Sequence, residues 1–389
     1  MTKGRTVPGD KFRPGRAYDL YIMPLVTQVQ ISSLLIIKFT TASPMYKGGA
    51  VEITLPTYLT VPAIGTSISV TPMQGTTQAT SATIVEGKNL DGKTVTRVRI
   101  ENLVLDDEIP SRYTFEFGLS GIENQISEIQ AGKWDLTTYY YRESDKKYYI
   151  IDQQEQLERE TYEATRGLLT ATKDMSISPS VNYADNAVYI FEFQENSMVP
   201  AGGWILIEFP NDINFNAETI VKLESCSSRF CELDATDPKA QKLWIKTNER
   251  FEKEQPRKIQ LGGMKNSRSF QPSGSFVITT HDQSKNVIDQ GFNKNVATTV
   301  AGDITLKVLS RGSVVNGEVN TYKLSLTTTV PLKPNDVIKF TFPAEITVNA
   351  KGLATVCTPE VAEDIMNCGI SGNDIQIIML SLADRGEPK

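Results

Sequence analysis

The sequence predicts an all-β protein: about three tandem antiparallel immunoglobulin-like β-sandwiches joined by short linkers. Three observations carry that expectation. "GGAVEITLP" at 48–56, "GGWILIEFP" at 202–210 and "NDVIKFTFP" at 335–343 are one pattern, a turn pair, an alternating run and a closing proline. Each is preceded by a second alternating run, "LLIIKFTTA" (34–42), "AVYIFEFQE" (187–195) and "TYKLSLTTT" (321–329). No βαβ rhythm interrupts them, which argues against a parallel sheet.

Taken in order, residues 1–16 form a basic N-terminal tail, and unit one spans 17–152. It ends in an aromatic hairpin, "TTYYYRESDKKYYIID" (137–152), expected to turn at Ser144-Asp145. Residues 153–166, "QQEQLERETYEATR", are polar and rich in helix formers, and read as a short solvated helix or stiff linker. Unit two spans 167–291, a second linker 292–301, and unit three 302–389. Unit three is incomplete: counterparts of "YTFEFGLS" (113–120) and "SFVITTHD" (275–282) are missing. Either the polypeptide continues, or another chain supplies the strands, with the aromatic hairpin or the stretch before Tyr18 as donor. Within the repeated strand, Ile53, Leu55, Ile207, Phe209, Phe340 and Phe342 are the expected inward-facing core residues, because side chains alternate along a strand. Trp204 and Leu206 make the other face of the second copy apolar too, so that strand is expected to lie centrally.

The four cysteines form two close pairs, Cys226 with Cys231 and Cys357 with Cys368, beginning 16 residues after Pro210 (226 − 210) and 14 after Pro343 (357 − 343). One reading is a local disulfide at the same loop of units two and three, which points to an oxidising compartment. The other is four buried free thiols. Neither pair has zinc-knuckle spacing.

The strand pattern with its proline, "I-x-I-x-F-P-x-x-I" in outline, resembles the tandem immunoglobulin-like repeats of very large surface proteins from ciliates and other protists. The resemblance covers the chain from about residue 17. It implies an extracellular, structural protein and brings no catalytic residues with it.

A single histidine, His281, leaves little for a Ser-His-Asp or Cys-His machine, and "ITTHDQS" reads as a solvated or turn-bonded strand end. No nucleotide-binding or metalloprotease motif occurs. The acidic clusters Asp106-Asp107-Glu108 and Asp234/Asp237 read as loops, either solvated turns or calcium ligands. The sequence therefore predicts no enzyme, no cofactor and no metal. A net charge of −6 argues against nucleic acid, and no apolar run is long enough to span a bilayer. Tyr139, Tyr140, Tyr141, Tyr148 and Tyr149 are either a contact surface or a self-stabilising ladder. The leading functional expectation is a structural protein forming an extracellular rod or cell-surface filament by head-to-tail self-association or with other surface proteins. The alternative is an adhesin or receptor ectodomain whose loops at the sandwich ends bind a ligand.

Overall fold

The computed structural model describes residues 14–74, 80–88, 93–104, 106–155, 162–215, 231–237, 241–348 and 365–381. Strands account for all the regular structure among them, and no helix occurs there.

Unit one contains β1 (Tyr18–Pro24), β2 (Leu35–Thr40), β3 (Met45–Tyr46), β4 (Ala50–Thr54), β5 (Ser67–Gln74) and β6 (Ser81–Lys88). It continues with β7 (Thr94–Ile100), β8 (Glu108–Ile109), β9 (Thr114–Leu119), β10 (Asp135–Arg142) and β11 (Lys147–Glu155). Nine of these strands run β1-β2-β9-β5-β6-β7-β4-β10-β11. β5 pairs β9 through Val70–Gln74 and β6 through Ser67–Ser69, so one strand passes between the two layers of a sandwich. Phe39, Phe115, Phe117, Ile53, Val98 and Trp134 fill the space between them with no exposure. The alternation explains why: β2 buries every second residue, and the others are half-covered.

Unit two repeats the plan with β12 (Gly167–Ala171), β13 (Ser176–Ser178), β14 (Ala187–Glu195), β15 (Trp204–Glu208) and β16 (Asn214–Phe215). Then come β17 (Cys231–Asp237), β18 (Lys242–Thr247), β19 (Pro256–Lys265), β20 (Phe276–His281) and β21 (Val287–Lys294). β15 lies between β18 and β20, and both its faces are covered, with Ile207 fully buried and Trp204 and Leu206 nearly so. One pairing departs from the antiparallel expectation. β12 runs parallel to β21 over Gly167–Leu169 before pairing antiparallel with β14, and Gly15 makes the same parallel bridge to Asp152 in unit one.

The recurring motif has a local cause. Gly48, Gly202 and Asn335 all adopt left-handed φ (78°, 75° and 71°), which glycine and asparagine tolerate. The next residue closes the turn each time: Gly49 N to Tyr46 O, Gly203 N to Pro200 O, Asp336 N to Lys333 O. Gly49 and Gly203 must also be glycine, because a Cβ on Gly203 would stand 2.7 Å from the His281 carbonyl oxygen, and one on Gly49 2.9 Å from that of Tyr46. The closing prolines seed one further turn in all three copies, with Leu59, Ile213 and Ile346 donating to the carbonyls of Pro56, Pro210 and Pro343.

Unit three comprises β22 (Ile304–Arg311), β23 (Tyr322–Thr328), β24 (Val337–Thr341), β25 (Ile365–Ser371) and β26 (Asp374–Ser381). They form separate two- and three-stranded sheets. By register, β24 and β26 correspond to β15 and β18, whereas no described strand corresponds to β19, β20 or β21. Besides the short β13 and β16, three long strands thus have no counterpart among the described residues, one more than the sequence suggested. Burial differs between the units: Ala17 and Leu169 are 1% exposed, and their counterpart Ile304 is 68% exposed. Phe340 and Phe342 are half-buried, unlike Ile53, Leu55, Ile207 and Phe209, which are buried.

The structure corrects several other expectations. The aromatic hairpin is β10–β11, the counterpart of β20–β21, and β10 pairs β4 over Asp135–Tyr139; it is not a spare element available for donation. The stretch 153–166 starts as strand, with Gln153–Glu155 paired to β10, and Tyr162 is packed into the core of unit one. Asp234 and Asp237 lie in β17, not in a loop. Of the two readings of His281, the turn-bonded one fits and the solvated one does not: it is 5% exposed, with Nδ1 3.0 Å from the Lys285 carbonyl and its ring against Trp244.

Candidate functional site

The residues that distinguish this chain from a generic sandwich gather in two kinds of place: the joints between units and the tyrosine-rich end of unit one. The first joint grows from the loop between β1 and β2. Gln28 bridges Thr165 in parallel, and Val29 N donates to Thr165 O at 2.8 Å while its side chain packs into the core of unit two. Gln30, 7% exposed, grips the main chain of unit two reciprocally: Nε2 donates to Met198 O, and Oε1 accepts from Met198 N, both at 2.7 Å. Ser127 Oγ donates to Asp282 Oδ2 at 2.7 Å, and Glu128 N to Val287 O at 2.6 Å.

The second joint uses the same positions. Val181 bridges Val300 in parallel, and Asn182 N donates to Val300 O at 2.9 Å. Thr165 and Val300 both stand two residues before the first-strand glycines, Gly167 and Gly302. Behind each joint loop sits a buried asparagine. Asn124 Nδ2 donates to Val26 O and Gln28 O, and Asn266 Nδ2 to Pro179 O and Val181 O, at 2.7–2.8 Å. A tyrosine hydroxyl donates to each amide oxygen, Tyr162 to Asn124 and Tyr189 to Asn266. Burial pushes both of those phenols well above their ordinary range. Arg268 pairs with Asp336 across the second joint, so the position that is Gly203 in unit two serves unit three as a link.

A second buried device fastens the last strand of each complete unit. Asp152 Oδ2 accepts from Ala42 N and Ser43 N at 3.0 Å, and Oδ1 from Ser43 Oγ at 2.8 Å. Asp289 repeats this with Ser197 N at 3.0 Å and Ser197 Oγ at 2.8 Å. Thr138 and Thr280 accept from the aspartate amides at 3.1 Å. In unit three, the register sets Val330 opposite Gly302, where Ser43 and Ser197 stand opposite Gly15 and Gly167.

On the outer face of unit one, Glu52 accepts from Arg97 Nη1 (2.7 Å), Arg99 Nη1 (3.1 Å) and the Tyr139 hydroxyl (2.8 Å). Burial first, and Glu52 second, push the Tyr139 phenol up to about 12. The predicted tyrosines do face one another: Tyr141 opposes Tyr148 and Tyr140 opposes Tyr149. Tyr139, Tyr141 and Tyr148 pack on one side of the hairpin, while Tyr149 packs under Arg142 on the other. Of the cysteines, Cys226 and Cys357 lie outside the described residues, Cys231 begins β17 and Cys368 lies in β25. Among the described residues, no cluster of His, Cys, Asp or Glu could hold a metal ion, and no helix is long and apolar enough to cross a membrane.

No protein-family model and no curated protein matches the chain. Solved structures overlap it weakly. The partial N-terminal region of an enterococcal surface protein aligns at 10% identity, covering 76% of this chain and 98% of that one, with a TM-score of 0.25. The collagen adhesin of S. aureus aligns at 9% identity over 82% and 99%, with a TM-score of 0.19. A type II cohesin dyad from the ScaA scaffoldin of Acetivibrio cellulolyticus gives 8% over 69% and 94%, at 0.17. These scores carry no argument about activity. All three proteins are bacterial, so the protist origin that the strand pattern suggested gains no support from them.

Proposed function

We propose that this chain is part of an extracellular, cell-surface structural rod, in which tandem sandwiches are held at fixed angles by a repeated joint. The observation that carries this reading is the recurrence of one joint design at two places. A parallel main-chain bridge, a following amide hydrogen bond and a buried asparagine behind the loop are the same in both. Loose linkers need none of these, whereas a joint that sets an angle needs specific contacts between its two sides. Because each joint is heterologous, head-to-tail self-association through such faces gives an open filament rather than a closed ring. No catalytic step is assigned to the chain.

Gln30→Ala is the direct test of the joint. Its loss removes two short hydrogen bonds to Met198 and is expected to weaken the docking of unit two by about 1–2 kcal/mol. Hydrogen exchange at the Met198 amide should rise, and small-angle scattering should show a broader spread of lengths. Unchanged exchange and scattering would mean that the joint does not set the angle. Electron micrographs of the intact chain then separate assembly from adhesion: filaments favour the rod, while monomers that bind a ligand favour an adhesin.

The extracellular assignment leads to a second expectation, that Cys226–Cys231 and Cys357–Cys368 are local disulfides in units two and three. Mass spectrometry of non-reduced peptides reads this directly. Free thiols in both pairs would remove the chief chemical argument for an oxidising compartment.

A further inference from the structure

The end of unit one that corresponds to the receiving joint face of unit two is not built as one. In unit two, that face receives unit one through Met198 and the β20–β21 turn. The unit-one counterpart of Met198 is Pro44, which has no amide hydrogen to offer. The β10–β11 connection is also longer. Thr138 to Asp152 spans 152 − 138 = 14 positions, against 289 − 280 = 9 from Thr280 to Asp289. The added length carries the tyrosines.

What this end presents is a shallow, open cleft lined by Lys47, Gly48, Glu101, Asn102, Tyr141 and Tyr148. Its aromatic walls are held in place before any ligand arrives. The Tyr141 ring lies over Gly48, where a Cβ would stand 3.6 Å from it, and Gly48 has the left-handed φ that keeps this position glycine. Tyr148 packs on Tyr141 at 5.0 Å with the rings tilted by 48°. The Arg99 guanidinium stacks 4.3 Å from the Tyr148 centroid and also pairs with Glu101 at 3.0 Å. Around the cleft Lys47 and Arg99, the latter just behind the lining, balance Glu101 and Glu143, so it selects neither anions nor cations. Fixed aromatic faces beside a planar amide and carboxylates are complementary to a ring with apolar C–H faces and equatorial hydroxyls. An open cleft covers one or two such rings, not a buried cofactor.

We propose that this cleft binds neutral pyranose residues of a glycan chain. The inference adds a ligand to the structural reading, and it stands or falls separately: polymerisation and glycan binding are read by different experiments. Weak single-site binding suits a repeated surface protein, since many copies along a filament give avidity.

The test uses the intact chain against an array of neutral oligosaccharides, with calorimetry on the best binder. At least one neutral glycan should bind. Tyr141→Ala and Asn102→Asp should each weaken binding roughly tenfold or more, the first by removing a stacking face and the second by removing the amide donor. Aspartate is chosen because Asn102 has a left-handed φ of 55°, which aspartate tolerates. Tyr141→Phe keeps the ring and should bind within about twofold of the parent, as should Tyr149→Ala, whose ring lies on the other side of the hairpin. Thermal melting confirms that each variant is folded. Absence of binding to every neutral glycan overturns the proposal. So does binding indifferent to Tyr141→Ala and Asn102→Asp, or a cleft that captures only polypeptide or charged glycans.

Discussion

Asp289→Ala is expected to unfold unit two well below the denaturant concentration at which unit one melts. Asp289 is fully buried, and its carboxyl accepts from Ser197 N and Ser197 Oγ. Alanine would leave those donors in a site closed to water, at a cost of about 3–5 kcal/mol once the cavity is included. The glycine opposite gives an independent probe of the same site. A Cβ on Gly167 would fall 1.9 Å from Asp289 Oδ1 and 2.9 Å from Ser197 Oγ. That aspartate cannot swing away without breaking its own hydrogen bonds, so Gly167→Ala should destabilise the same unit in the same direction. Asp152→Ala should act on unit one and spare unit two. Hydrogen exchange resolved by unit is the appropriate measurement, because a chain of several units need not unfold in one step. Equal protection in the parent and Asp289→Ala would show that the last strand is held by its ladder alone.

That device leaves a mark in the sequence that apolar periodicity does not pick out. "IIDQ" (150–153) and "VIDQ" (287–290) recur at the same repeat position, preceded far upstream by Gly15 and Gly167. Apolar alternation, the signal that located the repeated strand, treats an aspartate there as a solvent-facing residue. The burial of Asp152 and Asp289 comes from donors about a hundred positions away, which no local pattern displays. The asparagines of the joints were hidden for a related reason: Asn124 and Asn266 bind main-chain carbonyls, and any sequence supplies those. By contrast, the turn-strand-proline motif was legible because each part of it is a local backbone requirement, a left-handed residue at 48, 202 and 335 and a proline that ends the ladder. The aromatic hairpin is where the sequence puts it, but it reads as a spare element because its extra length takes it out of alignment with β20–β21. For unit three the sequence names the missing counterparts of β9 and β20 but not that of β21, whose "VIDQGFNK" carries no regular apolar alternation.

Stability of unit two is expected to fall as pH rises from about 4.5 to about 7, the reverse of the usual carboxylate behaviour. The cause is Glu195 at the end of β14, beside the aspartate clamp. It is fully buried; Oε1 accepts from Arg257 Nε at 3.1 Å, and Oε2 has no hydrogen-bond partner. Burial is the dominant influence and pushes its pKa from 4.5 up to about 7, while Arg257 pulls down and Asp289 adds to the rise. The sign follows from proton counting. Between the two values the folded unit holds a proton that the unfolded chain has released, so raising the pH favours unfolding by about 1.4 kcal/mol per unit. The stabilisation is complete below about 4.5 and gone above about 7, roughly 3 kcal/mol in all. Asp289, itself raised by burial against the pull of its Ser197 hydrogen bonds, contributes in the same direction. Glu195→Gln keeps an oxygen for Arg257 and removes the titration. The variant should therefore show a flatter profile and, at pH 8, a higher urea midpoint for unit two than the parent. Because Asp289 remains, the slope should shrink without vanishing. Parent and variant midpoints that move in parallel between pH 5 and pH 8 would show that Glu195 is already ionised in the folded unit, with Arg257 compensating its burial in full.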